Sequence, residues 1–263
     1  MAGAVLLVYP LIQGREQGWP TWSFVMLAAG ISTLSAFAAL QRRRSRQGRS
    51  PLVEPSVLRR RPYVAGLAVV ICFIGAMGGM MIALNVTYQL GLGFSPLACA
   101  VATIGIPVAA IAGSITSSAL LPKLGRTTMH LGIATMAAGL VLVIVVLRSA
   151  TGSISAWDLA APLAVTGYGM RMVFVPMFDV ILAGVAPHEL GSASGLLEAV
   201  QQLAMSVGIA VIGTVLFDRL GGGHGPVAFM GAADHALIVT VAFLLNAGAA
   251  VFWLPKHARE SHA

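Results

Sequence analysis

Three ionisable side chains, Arg171, Asp179 and Glu198, lie inside stretches of sequence that are otherwise apolar. A charge in the hydrocarbon of a bilayer costs about 2.5–3.5 kcal/mol on insertion scales, so such residues usually face a protein interior or a water-filled path. Carboxylates at such positions can take up and release protons, and an arginine can bind an anionic group or hold a carboxylate ionised. The segment 168–217 therefore indicates a path for a solute rather than a membrane anchor.

The two carboxylates lie at nearly equal distances from a short polar turn at His188 and Glu189. A helix rises about 1.5 Å per residue, so Asp179 and Glu198 would each lie on the order of 10 Å past the helix ends. If they faced each other, one would hold a proton at neutral pH, because desolvation and like charge both disfavour a second carboxylate. Both are proton-coupling candidates. The alternative places Asp179 among lipid headgroups and Glu198 in a polar helix contact.

Polar and adaptable side chains extend the face of Glu198. Gln201, Gln202 and Met205 follow at i+3, i+4 and i+7, which places them on one side of a helix. Methionine is polarizable and suits a cavity that accepts varied compounds. Amide side chains also join membrane helices, for about 0.6 kcal/mol on average, so close helix packing is the alternative. The full set of substrate-cavity candidates is Asn85, Tyr88, Gln89, Tyr168, Gln201, Gln202 and Met205.

Arg171 is a charge-partner candidate. It lies two turns from Asp179 and about 80° round the same helix, so a direct pair would need water or a residue on another helix. The side chain could bind an anionic group or keep a carboxylate ionised. The alternative is that it reaches along its apolar stem toward the outer membrane face.

Composition restricts the class of protein. Hydrophobic residues make up 57% of the chain and charged residues 10%, whereas a soluble domain carries about 25% charged residues. Eight of the sixteen Lys and Arg fall in 42–61, a clustering that follows the positive-inside rule and needs no nucleic acid. The sequence shows no metal-ligand cluster, nucleotide-binding loop or nucleophile constellation. It therefore argues against an enzyme, a nucleic-acid-binding protein, and a metal or other cofactor.

About 20 apolar residues cross a bilayer as a helix, and this length predicts seven full spans and one short one. The predicted spans are 1–12 (the short one), 21–40, 63–90, 96–121, 127–147, 157–185, 191–217 and 235–254. With the loop 42–61 in the cytoplasm, twelve Lys and Arg fall inside and three outside. This predicts a multi-pass protein of the plasma membrane with a cytoplasmic C-terminus. The short first span indicates a fragment of a longer protein.

Four stretches of the chain resemble one family in their order and spacing. They are Gly18-Trp19 with Arg60-Arg61-Pro62-Tyr63; Tyr88-Gln89 with Gly93-Phe94-Ser95-Pro96-Leu97 and Pro107; Gly167-Tyr168-Gly169; and Gly184-Val185-Ala186-Pro187 with Gly191-Ser192-Ala193-Ser194-Gly195 and Gln201-Gln202-Leu203. Together they are similar to the C-terminal half of a fourteen-span drug:proton antiporter, in the multidrug-efflux branch of the major facilitator superfamily.

The resemblance implies an all-α, polytopic transmembrane helix bundle. Its parts would be two linker helices at 1–40 (the first truncated), a basic cytoplasmic loop at 41–61, the C-terminal six-helix bundle at 62–254 and a cytoplasmic tail at 255–263. The bundle would consist of two inverted three-helix repeats. The N-terminal bundle would be missing.

A remnant of the family's signature loop is implied at Lys123, Gly125 and Arg126. Here Pro122 stands where the family has an acid, and Ser118 stands where the loop opens with glycine. These departures put a gating role of the loop in doubt. Family members also commonly have glycine at the position of Arg171.

The resemblance further implies proton-coupled efflux of hydrophobic or cationic drug-like compounds. The partners would be the lipid bilayer, the substrate, protons and the missing N-terminal bundle, without which we expect no transport. Two alternatives stay open. The chain could be a non-transporting half-protein that acts as a membrane assembly partner, or it could belong to a major facilitator exporter of an endogenous metabolite.

Overall fold

The computed structural model describes residues 20–46, 58, 60–150, 154–183 and 185–254, and every long regular element in these ranges is helical. The helices are α1 (Thr21–Arg46), α2 (Arg61–Val86, continued by a π-helical turn, Thr87–Gly91), α3 (Pro96–Thr103), α4 (Gly105–Leu124), α5 (Thr127–Ser149), α6 (Ala156–Leu182), α7 (Leu190–Leu220) and α8 (Pro226–Val251). A short 3₁₀ turn, Pro187–Glu189, precedes α7. The all-α prediction is confirmed. The predicted span 1–12, most of the basic loop and the tail 255–263 lie outside the described residues.

Six helical segments are long and apolar enough to cross a membrane. They are Arg61–Gly91, Pro96–Leu124, Thr127–Ser149, Ala156–Leu182, Leu190–Leu220 and Pro226–Val251. Five correspond closely to predicted spans. The sixth prediction, 235–254, is wrong at its start, because α8 begins at Pro226, where proline suits the first helical turn.

Capping residues explain where several helices begin and end. The Ser95 hydroxyl accepts a hydrogen bond from the Ala98 amide at 3.2 Å and starts α3. Ser155 and Asp158 form a capping box at the start of α6. Gly221 ends α7 with a φ of 53°, a left-handed conformation that favours glycine.

The six membrane-length segments pack in two layers. Helices α7, α2, α6 and α4 lie side by side in a row, and α8 and α5 cover one face of that row. The side chains between the layers form the core and include Phe73, Met80, Met136, Leu163 and Met177, each less than 2% exposed. We call the opposite face of the row, which no described helix covers, the front face.

The last three spans make the same pattern of contacts as the first three. Helix α2 packs against α7 as α6 packs against α4, and α2 packs against α8 as α6 packs against α5. The two central helices run in opposite directions, because Gly66 near the start of α2 lies against Ile181 near the end of α6. This arrangement agrees with two inverted three-helix units.

Glycines allow the row helices to approach closely. A side chain at Gly208 of α7 would clash with the backbone of Gly75 in α2, and one at Gly113 of α4 would clash with the carbonyl oxygen of Tyr168 in α6. These crossings fix α2 against α7 and α4 against α6. Small residues at close helix contacts are typical of membrane bundles.

The alternating helix directions give the bundle two ends. The first residues of α2, α5 and α7 and the last residues of α4, α6 and α8 meet at one end, which we call the Arg126 end. The other end, which holds the start of α8 and the last turn of α5, is the Asp234 end.

Candidate functional site

The front face carries several of the predicted site residues. Helices α2 and α6 occupy the middle of the row, with neighbours on both sides and the second layer behind them. Side chains of these two helices that are exposed must therefore lie on the front face. Asn85, Gln89 and Asp179 are exposed, and Tyr168 and Arg171 are half-buried.

Arg171 is held in place by α4. Its Nε donates a hydrogen bond to the Ser114 hydroxyl at 3.1 Å, and that hydroxyl donates to the Ala110 carbonyl oxygen at 3.0 Å. The guanidinium carbon lies 5.4 Å from the centre of the Phe174 ring, within cation–π range. Helix geometry places Arg171 and Ser114 each about 15 Å from the Arg126 end of their helices.

No carboxylate forms an ion pair with Arg171 in the part of the chain that the structure describes. Arg171 was predicted to have a charged partner. Its partner in the structure is a hydroxyl on α4, which the sequence did not indicate. The direct pair with Asp179 that the spacing argued against is not formed.

Glu198 is the centre of a polar cluster on α7. Its two carboxylate oxygens accept hydrogen bonds from the side-chain amides of Gln201 and Gln202, at 3.2 and 3.1 Å. The i+3 and i+4 spacing places the three side chains together. Met205 lies against Gly78 of α2, so it also contributes to the α2–α7 crossing.

Asp179 and Glu198 differ in position more than the sequence predicts. Helix α6 ends at Leu182 and α7 starts at Leu190, so Asp179 lies about 5 Å and Glu198 about 12 Å from the nearest helix end. The two distances are unequal because α6 ends sooner than the predicted limit at 185, whereas equal depth in a membrane stays a prediction. Helices α6 and α7 barely touch, and no hydrogen bond joins the two carboxylates among the described residues.

The residues of α2 divide between the front face and the interior. The Asn85 amide donates to the Met81 carbonyl oxygen at 2.9 Å, and the Gln89 amide donates to Asn85 at 3.5 Å. Tyr88 instead is 1% exposed and stacks on Phe94, with 5.8 Å between ring centres. Asn85 and Gln89 thus belong to the front face, whereas Tyr88 packs inside the bundle.

The loop that was predicted to be a signature-loop remnant connects α4 to α5 at the Arg126 end and contacts the end of α8. Arg126 Nη1 donates to the carbonyl oxygens of Phe252 and Leu254 at 2.6 and 2.7 Å, and so satisfies acceptors at the C-terminal end of α8. Gly125 has a φ of 52°, which lets the chain turn between α4 and α5. Lys123 is exposed. We call the contact of Arg126 with these two carbonyl oxygens the Arg126 clamp.

Two ion pairs were not indicated by the sequence. At the Arg126 end, Arg60 Nη2 lies 2.8 Å from Glu189 Oε2, and Glu189 also accepts from the Ala186 amide. At the Asp234 end, Arg148 contacts Asp234 through both oxygens, with Nε to Oδ1 at 3.0 Å and Nη2 to Oδ2 at 2.8 Å. Each pair joins segments that are distant in sequence, and no local pattern could have indicated them.

Comparison with known proteins gives a consistent family. The model of the Major Facilitator Superfamily matches residues 1–209. The "Probable actinorhodin transporter" of Streptomyces coelicolor is 42% identical over 221 residues, 84% of this chain and 38% of the relative. "Puromycin resistance protein pur8" of Streptomyces alboniger is 28% identical over 93% of this chain and 49% of its own length. "Multidrug resistance protein Stp" of Mycobacterium tuberculosis is 24% identical over 80% of this chain.

The chain spans less than half the length of these relatives, since the matched shares of their own lengths are 38%, 49% and 38%. Their names refer to transport and drug resistance, not to catalysis. The region 1–209 that the family model matches includes all of the front-face residues described above.

Proposed function

We propose that this chain, which belongs to the major facilitator superfamily, forms the C-terminal half of a proton-coupled exporter of hydrophobic or cationic drug-like compounds. It is a multi-pass membrane protein of the transporter class, with relatives in drug resistance. Beyond family membership, the proposal adds three claims: that export is coupled to protons, that the substrates are hydrophobic or cationic, and that the chain is one half of a transporter.

The observation that carries the proposal is the front face. Asn85, Gln89 and Arg171 lie on membrane-length helices, yet Asn85 and Gln89 are exposed and Arg171 is only half-buried against α4. Polar groups in lipid are costly, so such side chains are expected to face water or another part of the protein. A second six-helix bundle opposite the front face would enclose them in a central cavity. The relatives, which are more than twice as long as their matched regions, have room for such a bundle.

Glu198 supports the proton-coupling part of the proposal. It is the carboxylate that lies farther from a helix end, and two neutral amides orient it without neutralising its charge. We infer that Glu198, which is exposed on α7, exchanges the coupled proton, with Asp179 as a second site nearer the Arg126 end.

The orientation follows from the basic residues. Arg60, Arg61, Lys123 and Arg126 lie at the Arg126 end, whereas Arg148 and Arg219 lie at the other end. By the positive-inside rule the Arg126 end faces the cytoplasm of a bacterial plasma membrane. The C-terminus is then cytoplasmic.

The test measures ethidium efflux from bacteria that lack their own exporters. The chain is expressed alone and joined to the upstream half of the 42% identical relative. We expect no efflux from the chain alone, and efflux from the joined protein that a protonophore abolishes. Glu198→Gln should lower this efflux at least tenfold, whereas Asp218→Asn, which removes a carboxylate near the other end of the same helix, should leave it unchanged.

Two results would contradict the proposal. Efflux from the chain alone would indicate a homodimer in place of a half-transporter. Efflux that resists the protonophore, or that is equal in wild type and Glu198→Gln, would contradict proton coupling through this residue.

A second candidate is an exporter of one endogenous compound, which the 42% identity to a protein named as an actinorhodin transporter favours over a broad drug range. The two candidates predict different substrate ranges. A panel of unrelated drugs would be exported by the first and not by the second. A non-transporting assembly partner would export nothing in the joined protein.

A further inference from the structure

We propose that Arg171 binds an anionic oxygen, of the carboxylate type, on the transported compound. This inference rests on the proposed function and adds one class of substrate to it. The hydrophobic compounds that are exported would then include some that combine an apolar body with an acidic head group.

The guanidinium of Arg171 is oriented but not saturated. Its Nε is engaged by Ser114, whose own hydroxyl hydrogen is directed to the Ala110 carbonyl oxygen. The ring of Phe174 lies beside the guanidinium at 5.4 Å. No described residue accepts a hydrogen bond from Nη1 or Nη2. These two nitrogens form a planar fork that matches the two oxygens of a carboxylate.

The local acids do not neutralise this charge. Asp179 lies two turns farther along α6, about 12 Å away along the helix axis. Glu198 lies on α7, and in the row α2 and α6 separate α7 from α4, the helix that holds Arg171. The charge of Arg171 therefore has no acidic partner among the described residues.

The position of Arg171 in its helix favours an anionic partner. A cation near the middle of a membrane-length helix costs about 2.5–3.5 kcal/mol on insertion scales, and one hydroxyl and one aromatic ring offset only part of this. An anionic group that enters from the front face would complete the site. Its apolar body would lie beside Phe174 and Tyr168, which are both partly exposed.

The experiment uses three fluorescent compounds with one ring system and one chain length: 1-pyrenebutyrate, 1-pyrenebutanol and 1-pyrenebutylamine. Their binding to the 263-residue chain in lipid nanodiscs is measured against empty nanodiscs. We expect the wild-type chain to bind the butyrate at least tenfold more tightly than the butanol. Arg171→Gln should remove this preference without weakening butanol binding, and Arg171→Lys should keep part of it.

Two further variants control for charge and for folding. Arg219→Gln makes the same charge change at the exposed end of α7 and should keep the full preference. Ser114→Ala keeps the charge but releases Nε, so it should reduce the preference several-fold. Thermal unfolding followed by tryptophan fluorescence reports whether each variant folds. If Arg171→Gln does not fold, Arg171→Lys and Ser114→Ala decide the question.

Equal binding of the three compounds to the wild-type chain would overturn the inference and leave the proposed transport function intact. A butyrate preference that survives in Arg171→Gln would also overturn it. Absence of binding by all three compounds would also overturn the inference, whereas the efflux of the joined protein would still decide the proposed function.

Discussion

Two arginines of this bundle show two ways to keep a guanidinium on a membrane-length helix. Arg148, in the last turn of α5, forms two parallel hydrogen bonds to the Asp234 carboxylate. Arg171, far from both ends of α6, has a single hydrogen bond to a neutral hydroxyl. The side chain of Arg148 is 60% exposed and that of Asp234 only 11% exposed, so the pair sits at the edge of the bundle.

The difference separates a structural role from a binding role. A bidentate pair between α5 and α8 uses the whole fork of the arginine and fixes two helices of the second layer. A fork that is oriented by one neutral partner and lies on the uncovered face of the row remains available to a ligand. Variants that give Arg171 an acidic partner, or that remove the acidic partner of Arg148, test this difference between the two arginines.

The largest effect is expected from giving Arg171 its own acid. Ser114→Asp places a carboxylate beside the guanidinium, and the resulting pair should occupy the fork as Asp234 occupies that of Arg148. We expect the preference of the chain for 1-pyrenebutyrate over 1-pyrenebutanol to be lost, a change of at least tenfold. Asparagine is nearly the same size as aspartate but neutral, so Ser114→Asn should keep the preference. Equal behaviour of the two variants would mean that size, not charge, decides binding.

A moderate effect is expected from removing the acid of Arg148. Asp234→Asn keeps the shape of the side chain but loses the charge-assisted pair, so the midpoint of thermal unfolding in nanodiscs should fall by several degrees. Binding of 1-pyrenebutyrate should not change. Asp179→Asn makes the same substitution at an exposed position of α6 and should leave the midpoint nearly constant. A lower affinity in Asp234→Asn would show that the two arginines are not independent.

The smallest effect is expected at Phe174. A cation–π contact contributes about 0.5–1 kcal/mol at a partly exposed site, so Phe174→Leu should weaken 1-pyrenebutyrate binding about two- to fivefold. Phe178→Leu removes the ring that lies 5.5 Å from Phe174, one helical turn farther along α6. This control should change the affinity less. A larger loss at Phe178 would place the apolar body of the ligand nearer the Arg126 end.

Features that depend on local sequence were predictable. Span lengths follow from runs of apolar residues, and five of the six membrane-length segments lie close to the predicted ranges. The contact of Glu198 with Gln201 and Gln202 follows from helical spacing alone. The start of α8 was missed because Asp234 and the glycines before it interrupt the apolar pattern, although Pro226 offered a start signal.

Features that depend on helix packing were not predictable. Ser114 and Arg171 are 57 positions apart, and Arg148 and Asp234 are 86 apart, so their contacts exist only because of the order of helices in the two layers. The same holds for Tyr88, whose place inside the bundle depends on the packing of α2 against α8 rather than on its spacing from Asn85. A single sequence can indicate which helix faces are polar, but not which residue of another helix lies opposite each of them.

The Arg126 clamp defines how much of the C-terminus the bundle requires. Both acceptors of the guanidinium are backbone carbonyls, of Phe252 and Leu254, so the clamp requires that both residues are present. A chain cut after Leu254 would keep both acceptors, whereas one cut after Val251 would keep neither. A chain that ends before Phe252 would therefore leave the end of α8 without the Arg126 clamp.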